Sequence, residues 1–227
     1  MRLWVLAAVL GLVAACTPAA KTAGDATAES DRLNAYLNAE FEEEIARSPQ
    51  LATSLSRKDN YDKLDDYSEA AKAADLEWRR ESVAEMKKTF DRATLSPDAQ
   101  TSFDIWSMAL DDAELAAKFR RHDYIFGYGG PHTGIPNFLI TYHNVDQPID
   151  VEAYIARLGE LARAIDQLAE RAKLAAADGV RAPKFGYERT ISEAQNIITG
   201  APFDRGPDSP LWTDLRAKNL QLLSAGR

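Results

Sequence analysis

The sequence contains very little cysteine and histidine. Its 227 residues include one cysteine, Cys16, and three histidines, His122, His132 and His143. One cysteine excludes an internal disulfide and any zinc site that uses several cysteines. Two histidines that bind zinc from one helix are three or four residues apart, whereas these are ten and eleven apart. Local spacing therefore predicts no zinc site, and hydrogen-bonded packing histidines are the simpler interpretation; a site assembled from distant parts of the chain stays open.

Sequence signatures of other functions are also missing. The chain has no Gly-x-Ser-x-Gly motif and no glycine-rich phosphate loop before Lys-Ser or Lys-Thr. Adjacent carboxylates such as Asp111 and Asp112 point apart on a helix and do not share a site. Lys and Arg number 27 against 35 Asp and Glu, a net charge of -8, whereas nucleic-acid binding needs a basic stripe. The sequence thus assigns no catalytic residue, leaves enzyme activity open, and predicts no nucleic-acid partner.

The N-terminus has the features of an export signal. Arg2 precedes an apolar run at 3–15, which is short for a membrane-spanning helix of about 20 residues and typical of a signal peptide. Val-Ala-Ala-Cys at 13–16 resembles a bacterial lipobox, in which the cysteine thiol is acylated after cleavage. We therefore expect a signal peptide at 1–15 and lipid attachment at Cys16, which anchors the protein to a bilayer. An ordinary secretory signal with a chance cysteine is the alternative.

The same segment predicts the cellular location of the mature protein. An acylated Cys16 places the chain on the periplasmic side of the cell envelope. Thr17 rather than Asp follows it, which by resemblance to lipoprotein sorting rules favours the outer membrane. The residues up to 29 are rich in Ala and Thr and show no apolar period, so 16–29 is predicted to be a flexible tether.

Residues 30–227 are predicted to form one helical domain, incomplete at its C-terminus. Apolar residues recur at steps of three and four, and no strand ladder appears. Ser-Pro pairs at 48–49, 96–97 and 209–210 mark helix starts, because proline is tolerated in the first turn. Asp150 is predicted to cap a long helix that Gly179 ends, and another helix is predicted over 185–199. The fold class is therefore all-α, an irregular multi-helix array.

The last predicted helix carries an apolar face that nothing later in the chain could cover. Its apolar residues are Leu211, Trp212, Leu215, Leu222 and Leu223. We expect this face to be exposed and to contact a C-terminal half or another protein.

The segment 124–144 is the one predicted irregular region. It contains four glycines and two prolines interleaved with aromatic residues, which indicates a buried backbone with unusual dihedral angles. Such a segment packs the core or lines a cleft. The candidate cleft-lining residues are Tyr128, Gly130, His132, Tyr142 and His143.

Four stretches form a succession found in a known family. They are Ser-Pro-Gln-Leu-Ala-Thr at 48–53, Gly-Pro-His-Thr-Gly-Ile-Pro-Asn-Phe-Leu at 130–139, Tyr-Ile-Ala-Arg-Leu at 154–158, and 179–198. Together they resemble the bacterial lipoproteins grouped as domain of unknown function 885. That resemblance implies the N-terminal part of a larger, helical, zinc metallopeptidase-like fold. In its His-Glu-x-x-His motif the histidines bind zinc and the glutamate is the general base.

This sequence contains no His-Glu-x-x-His motif. The resemblance therefore implies the N-terminal half only, no catalytic or metal-binding residue is carried across, and zinc is expected only in the C-terminal half absent from this chain. Three hypotheses follow: the N-terminal portion of a peptidase-like lipoprotein, a complete non-enzymatic helical lipoprotein that binds a partner or small ligand, or one of two separate polypeptides that assemble.

Overall fold

A computed structural model describes residues 23–127, 129–224 and 226 of the chain. The predicted signal peptide at 1–15, Cys16 and Tyr128 lie outside the described residues. The described part is helical and contains no strand, which confirms the all-α prediction. Its helices are α1 (Ala23–Arg47), α2 (Pro49–Ser54), α3 (Glu69–Thr89), α4 (Pro97–Phe119), α5 (Pro131–Tyr142), α6 (Pro148–Ala177), α7 (Lys184–Ile197) and α8 (Pro210–Ser224), with a 3₁₀ turn at Arg92–Thr94. None of these helices has the length and apolarity needed to cross a membrane.

The first helix begins earlier than the sequence predicts. The tether was placed at 16–29, but residues 23–29 are helical, so this part of the prediction is wrong. Alanine, which is frequent there, has the highest helix propensity. The Ser30 hydroxyl also donates to the Ala26 carbonyl at 2.7 Å, which ties the first turns to the helix that follows.

Serine residues cap the starts of several other helices, of which those at Ser48 and Ser96 were predicted. Ser48, Ser68 and Ser96 each accept a hydrogen bond from the backbone N–H three residues later. Gly179 ends α6 with a φ of 87°, a left-handed conformation that glycine adopts without a steric penalty. The predicted helix over 185–199 corresponds to α7, and α8 starts at Pro210 after Ser209.

One prediction about the middle of the chain is wrong. The segment 124–144 is not irregular throughout, because 131–142 form α5 with Pro131 in the first turn and Pro136 inside. Pro136 removes one backbone hydrogen bond, while Ile135 and Leu139, four residues apart, bury one face.

Asp150 caps α6, as predicted, but it does so from within the first turn. The helix starts at Pro148, and the Asp150 carboxylate accepts from the backbone N–H of the N-cap residue Gln147 at 2.9 Å.

Buried side chains form two clusters. The first lies between α1, α3 and α4 and consists of Leu33, Val83, Met86, Phe90, Leu95, Ala99 and Phe103. The second lies between α5, α6 and α8 and consists of Leu64, Ile135, Leu139, Tyr154, Ala164, Leu168 and Leu211. Helix α7 packs against α5 at the edge of the second cluster, and this edge contains the candidate site.

Candidate functional site: an apolar groove

A cavity of about 640 Å³, here called the apolar groove, lies between α5, α6, α7 and α8. Its walls consist of Phe126, His132, Pro136, Leu158, Leu161, Ala162, Ile165, Thr190, Ile191, Ala194, Gln195, Ile197, Ile198, Pro202, Phe203, Ser209, Leu211, Trp212 and Leu215. Most of these side chains are apolar, so the groove favours an apolar occupant over water.

Helical spacing produces the groove walls. On α6, Leu158, Leu161 and Ile165 follow one another at steps of three and four, so they lie on one face. On α7, Ile191 and Ala194 face them across the groove. Because α7 packs on α5 rather than closing over α6, these apolar faces are left apart.

The rim of the groove is exposed. Ile191, Ile198 and Phe203 are 58, 59 and 62% exposed, and Trp212 is 38% exposed, whereas Leu211 at the floor is buried. An exposed apolar surface around a concave apolar floor is typical of a binding site. On α8 the predicted exposed face is therefore present in part: Leu222 is buried, Leu215 is half-buried, and Leu223 is exposed.

One polar pair interrupts the groove wall. The His132 Nε2 lies 2.8 Å from Glu193 Oε2, and Arg189 donates to the other carboxylate oxygen at 2.7 Å. The hydrogen bonds from His132 and then Arg189 lower the pKa of Glu193, so this carboxylate is ionised at neutral pH. The His132 side chain is 3% exposed, and its buried Nδ1 has no hydrogen-bond partner.

The groove contains a carboxylate–histidine pair but no metal-ligand set. In the described ranges of the chain, no three His, Cys, Asp or Glu side chains form a group that could hold a metal ion. Thr190 Oγ1 donates to the carbonyl of Gly186, and Ser209 Oγ accepts from the backbone of Trp212. Both hydroxyls are therefore hydrogen-bonded to the helix backbone. The rest of the groove lining is mainly apolar, which suits the groove to binding an apolar molecule.

The structure separates the five candidate cleft residues. His132 lies in the groove wall, and Tyr128 is outside the described residues. Gly130 lies behind His132, where a Cβ would be 2.7 Å from the Ile125 carbonyl and 3.0 Å from His132 Nδ1. Tyr142 is exposed beside Phe138 and does not line the groove. His143 is fully buried elsewhere, so its assignment to the cleft is wrong.

His143 instead belongs to a buried network centred on Arg157, which sequence analysis did not single out. The Arg157 guanidinium donates to the Lys63 carbonyl at 2.8 Å, to Thr53 Oγ1 at 2.7 Å and to His143 Nδ1 at 3.0 Å. It also lies over the Tyr61 ring, 4.7 Å from the centroid. These contacts join α2, the loop before α3 and α6, and they support the α6 wall of the groove.

A second polar cluster holds α8 in place beside the groove. Lys218 Nζ donates to Asp214 at 2.7 Å and to the carbonyls of Leu139 and Ile140, both at 3.0 Å. Those carbonyls are in the last turn of α5, and the Leu139 carbonyl also accepts a hydrogen bond from the backbone N–H of His143 at 3.2 Å. Tyr154 donates to the same carboxylate at 2.9 Å. The groove wall formed by α8 is thus fixed by buried hydrogen bonds as well as by apolar contacts.

Residues 49–225 match the family described as "Bacterial protein of unknown function (DUF885)". The chain belongs to the DUF885 family. In this DUF885 protein the matched region begins at the first residue of α2 and contains the groove, the Arg157 network and α8, whereas α1 precedes it. No curated protein and no solved structure matches the chain.

Proposed function

We propose that this DUF885 protein is the non-catalytic helical portion of an exported, lipid-anchored, peptidase-like protein. The apolar groove receives an apolar segment of the portion that binds zinc. The open groove with its exposed rim is the observation that carries the proposal. Acylated Cys16 tethers the assembly to the bilayer on the periplasmic side of the envelope, with the outer membrane favoured.

A helical segment is the occupant that the groove geometry favours. The walls are formed by four helices, on which apolar residues recur at helical spacing, and another helix packs against such walls by filling the spaces between side chains. Covering Ile191, Ile198, Phe203 and Trp212 removes exposed apolar surface, which stabilises the complex by about 25 cal/mol for each Å² buried. The groove supplies binding, and the zinc-bearing portion supplies the chemistry.

The proposal is tested by reconstitution. A family segment containing His-Glu-x-x-His is mixed with this chain, and binding, zinc content and peptide hydrolysis are measured. We expect a complex, with hydrolysis that depends on the added segment. Ile191→Asp in the groove should weaken binding by about 30-fold or more, as for a buried interface anchor. Ile149→Asp, at a similarly exposed position in the first turn of α6 that does not line the groove, is the matched control and should bind normally.

Two results would contradict this function. Peptide hydrolysis by the chain alone, at unchanged specific activity through repeated purification, would show that it is itself an enzyme. Equal binding by the Ile191→Asp and Ile149→Asp variants would show that the groove is not the contact.

A second candidate function is the binding of a small apolar ligand by a non-enzymatic lipoprotein. The groove volume of about 640 Å³ lies within the range of small-molecule sites, and its lining is mainly apolar, as it is in many such sites. The uncharged fluorescent probe N-phenyl-1-naphthylamine separates the two functions. Saturable one-to-one binding that Ile191→Asp abolishes, together with no binding of the zinc-bearing segment, would favour the ligand.

A further inference from the structure

A second exposed apolar surface lies on α4, which contributes no residue to the groove lining. Ile105, Met108, Leu115 and Phe119, here called the α4 stripe, are 54 to 61% exposed. The opposite face of α4 carries Phe103, which is buried in the first cluster. Helix α4 is therefore apolar on two faces, and only one of them is covered by this chain.

The spacing of the α4 stripe is that of a helix-pairing seam. With Asp112 included, its positions are 105, 108, 112, 115 and 119, which alternate steps of three and four over two heptads. Small residues Ser102, Ala109 and Ala116 follow one side of it at intervals of seven, so that another helix could approach closely. Asp112 is the one charged position within the seam.

The charges around the stripe are mainly negative. Asp104 and Glu114 are paired with Arg92 and Arg80, at 2.6 and 2.9 Å. Asp111 and Asp112 are exposed, and within the described ranges neither makes a hydrogen bond or an ion pair. Asp112, in the middle of the seam, and Asp111, beside it, are thus two carboxylates that no side chain of the described residues pairs with.

We propose that the α4 stripe binds an amphipathic helix of a partner protein, with a Lys or Arg in the middle of its apolar face opposite Asp112. Apolar residues at both ends of the seam supply the contact area. The central basic residue neutralises Asp112 and fixes the register, as a single polar position does in a helix pair. This surface is separate from the groove, because α4 packs mainly against α1, α3 and the 3₁₀ turn and no α4 residue lines the groove.

The charges disfavour two other occupants. The stripe is nearly symmetric about Asp112, so two copies paired in opposite directions would place their Asp112 carboxylates together, which is repulsive. An anionic bilayer surface would likewise repel Asp111 and Asp112, because binding to such a surface uses basic residues.

The test uses two synthetic amphipathic helical peptides, identical except for Lys or Glu at the central apolar-face position. Fluorescence anisotropy measures their binding to the full chain. We expect the Lys peptide to bind about 10-fold more tightly at low salt, with a smaller ratio at high salt because of screening. The double variant Asp111→Asn with Asp112→Asn should bring the ratio close to one. Met108→Asp should weaken both peptides, whereas the groove variant Ile191→Asp should bind both normally.

Three outcomes would overturn the proposal. Equal binding of the Lys and Glu peptides would show that Asp112 does not select a basic residue on the partner helix. A dimer of the chain in light scattering that Met108→Asp dissociates would identify a second copy as the occupant. Tighter binding to phosphatidylglycerol vesicles than to the Lys peptide, lost in Met108→Asp, would identify a lipid surface.

Discussion

Arg157 is a buried cation whose hydrogen-bond acceptors are all neutral. Its guanidinium bonds to a carbonyl, a hydroxyl and an imidazole nitrogen, and the side chain is fully buried. Burial lowers the pKa of Arg157 to about 10, and the nearby Tyr61, Asp62 and Asp65 act in the opposite direction. The group stays charged at neutral pH, so its hydrogen bonds are what make its burial tolerable.

Replacing Arg157 should therefore destabilise the fold strongly. Arg157→Met removes the donors to Thr53, Lys63 and His143 and leaves buried acceptors unpaired. We expect the free energy of unfolding, measured by urea titration, to fall by about 3 kcal/mol or more. Arg181→Met, at an exposed position, is the control and should change it by less than about 0.5 kcal/mol. Equal effects of the two substitutions would contradict this account.

His143 should make stability depend on pH. Because Arg157 donates to Nδ1, the imidazole is neutral and its Nε2 donates to the Asp150 carbonyl at 2.9 Å. Burial lowers the pKa of His143 from 6.5 to about 4, and the charge of Arg157 acts in the same direction. The unfolded chain thus binds the proton more readily, and the stability present above pH 6.5 is lost as the pH falls towards 4.

The measurement is chemical unfolding at several pH values between 4 and 7. A shift of this size corresponds to about 3 kcal/mol across that window. His143→Gln, which cannot titrate, should flatten the wild-type slope by that amount, whereas the exposed His122→Gln should leave it unchanged. An unaltered slope in His143→Gln would show that other groups cause the dependence.

Sequence reasoning could find the burial of Arg157 but not its partners. Arg157 lies on the same helical face as Tyr154, Ala164 and Leu168, at steps of three, seven and four, so the pattern placed a charge on the buried side. Its acceptors in the loop after α2 and in α2 itself are 94 and 104 residues away. No local pattern encodes such contacts, and for this reason sequence analysis named His143 but not the network.

The helix α8 is attached by a polar cluster on one face. Lys218, Asp214 and Tyr154 are largely buried there, and Lys218 supplies donors to the end of α5. Lys218→Met should leave two carbonyls and a carboxylate without this donor. We expect the free energy of unfolding to fall by about 2 to 4 kcal/mol. Amide exchange should speed up more in α8 than in α3.

Arg216→Met provides the control on the same helix. Arg216 is exposed and pairs with Asp208 at 3.3 Å, and an exposed pair of this kind contributes little. Amide exchange in the Arg216→Met variant should match that of the wild type. If amide exchange in the Lys218→Met variant also matches the wild type, apolar packing alone holds α8.

Most helix boundaries could be predicted from the sequence, whereas the existence of α5 in the glycine- and proline-rich segment 124–144 could not. Capping by serine and termination at Gly179 depend on a few adjacent residues, so these boundaries were correct. Helix α5 was missed because the four glycines and two prolines of 124–144 were taken to indicate an irregular backbone. The lost hydrogen bond is one among twelve residues, and burial of Ile135 and Leu139 against the second cluster offsets it.

At the scale of the whole molecule, the two apolar clusters should behave as partly separate units. Leu139→Ala, at a fully buried position of the second cluster, should lower the free energy of unfolding by about 2 to 5 kcal/mol. Hydrogen exchange measured by mass spectrometry should show the larger loss of protection in α5, α6 and α8. Met86→Ala in the first cluster should have the reciprocal effect on α1, α3 and α4. Uniform loss in either variant would show a single cooperative unit.

The length of α6 has a consequence for how the groove binds. Its 30 residues span about 45 Å, and it is bonded along its length, to Lys58 near its start, to Glu69 through Arg171, and just past its end to Arg121 through Asp178. A molecule entering the groove therefore meets a wall held at several points, with no hinge beneath it. The binding site is therefore preformed. Association should be fast, and the backbone should move very little when the groove is filled.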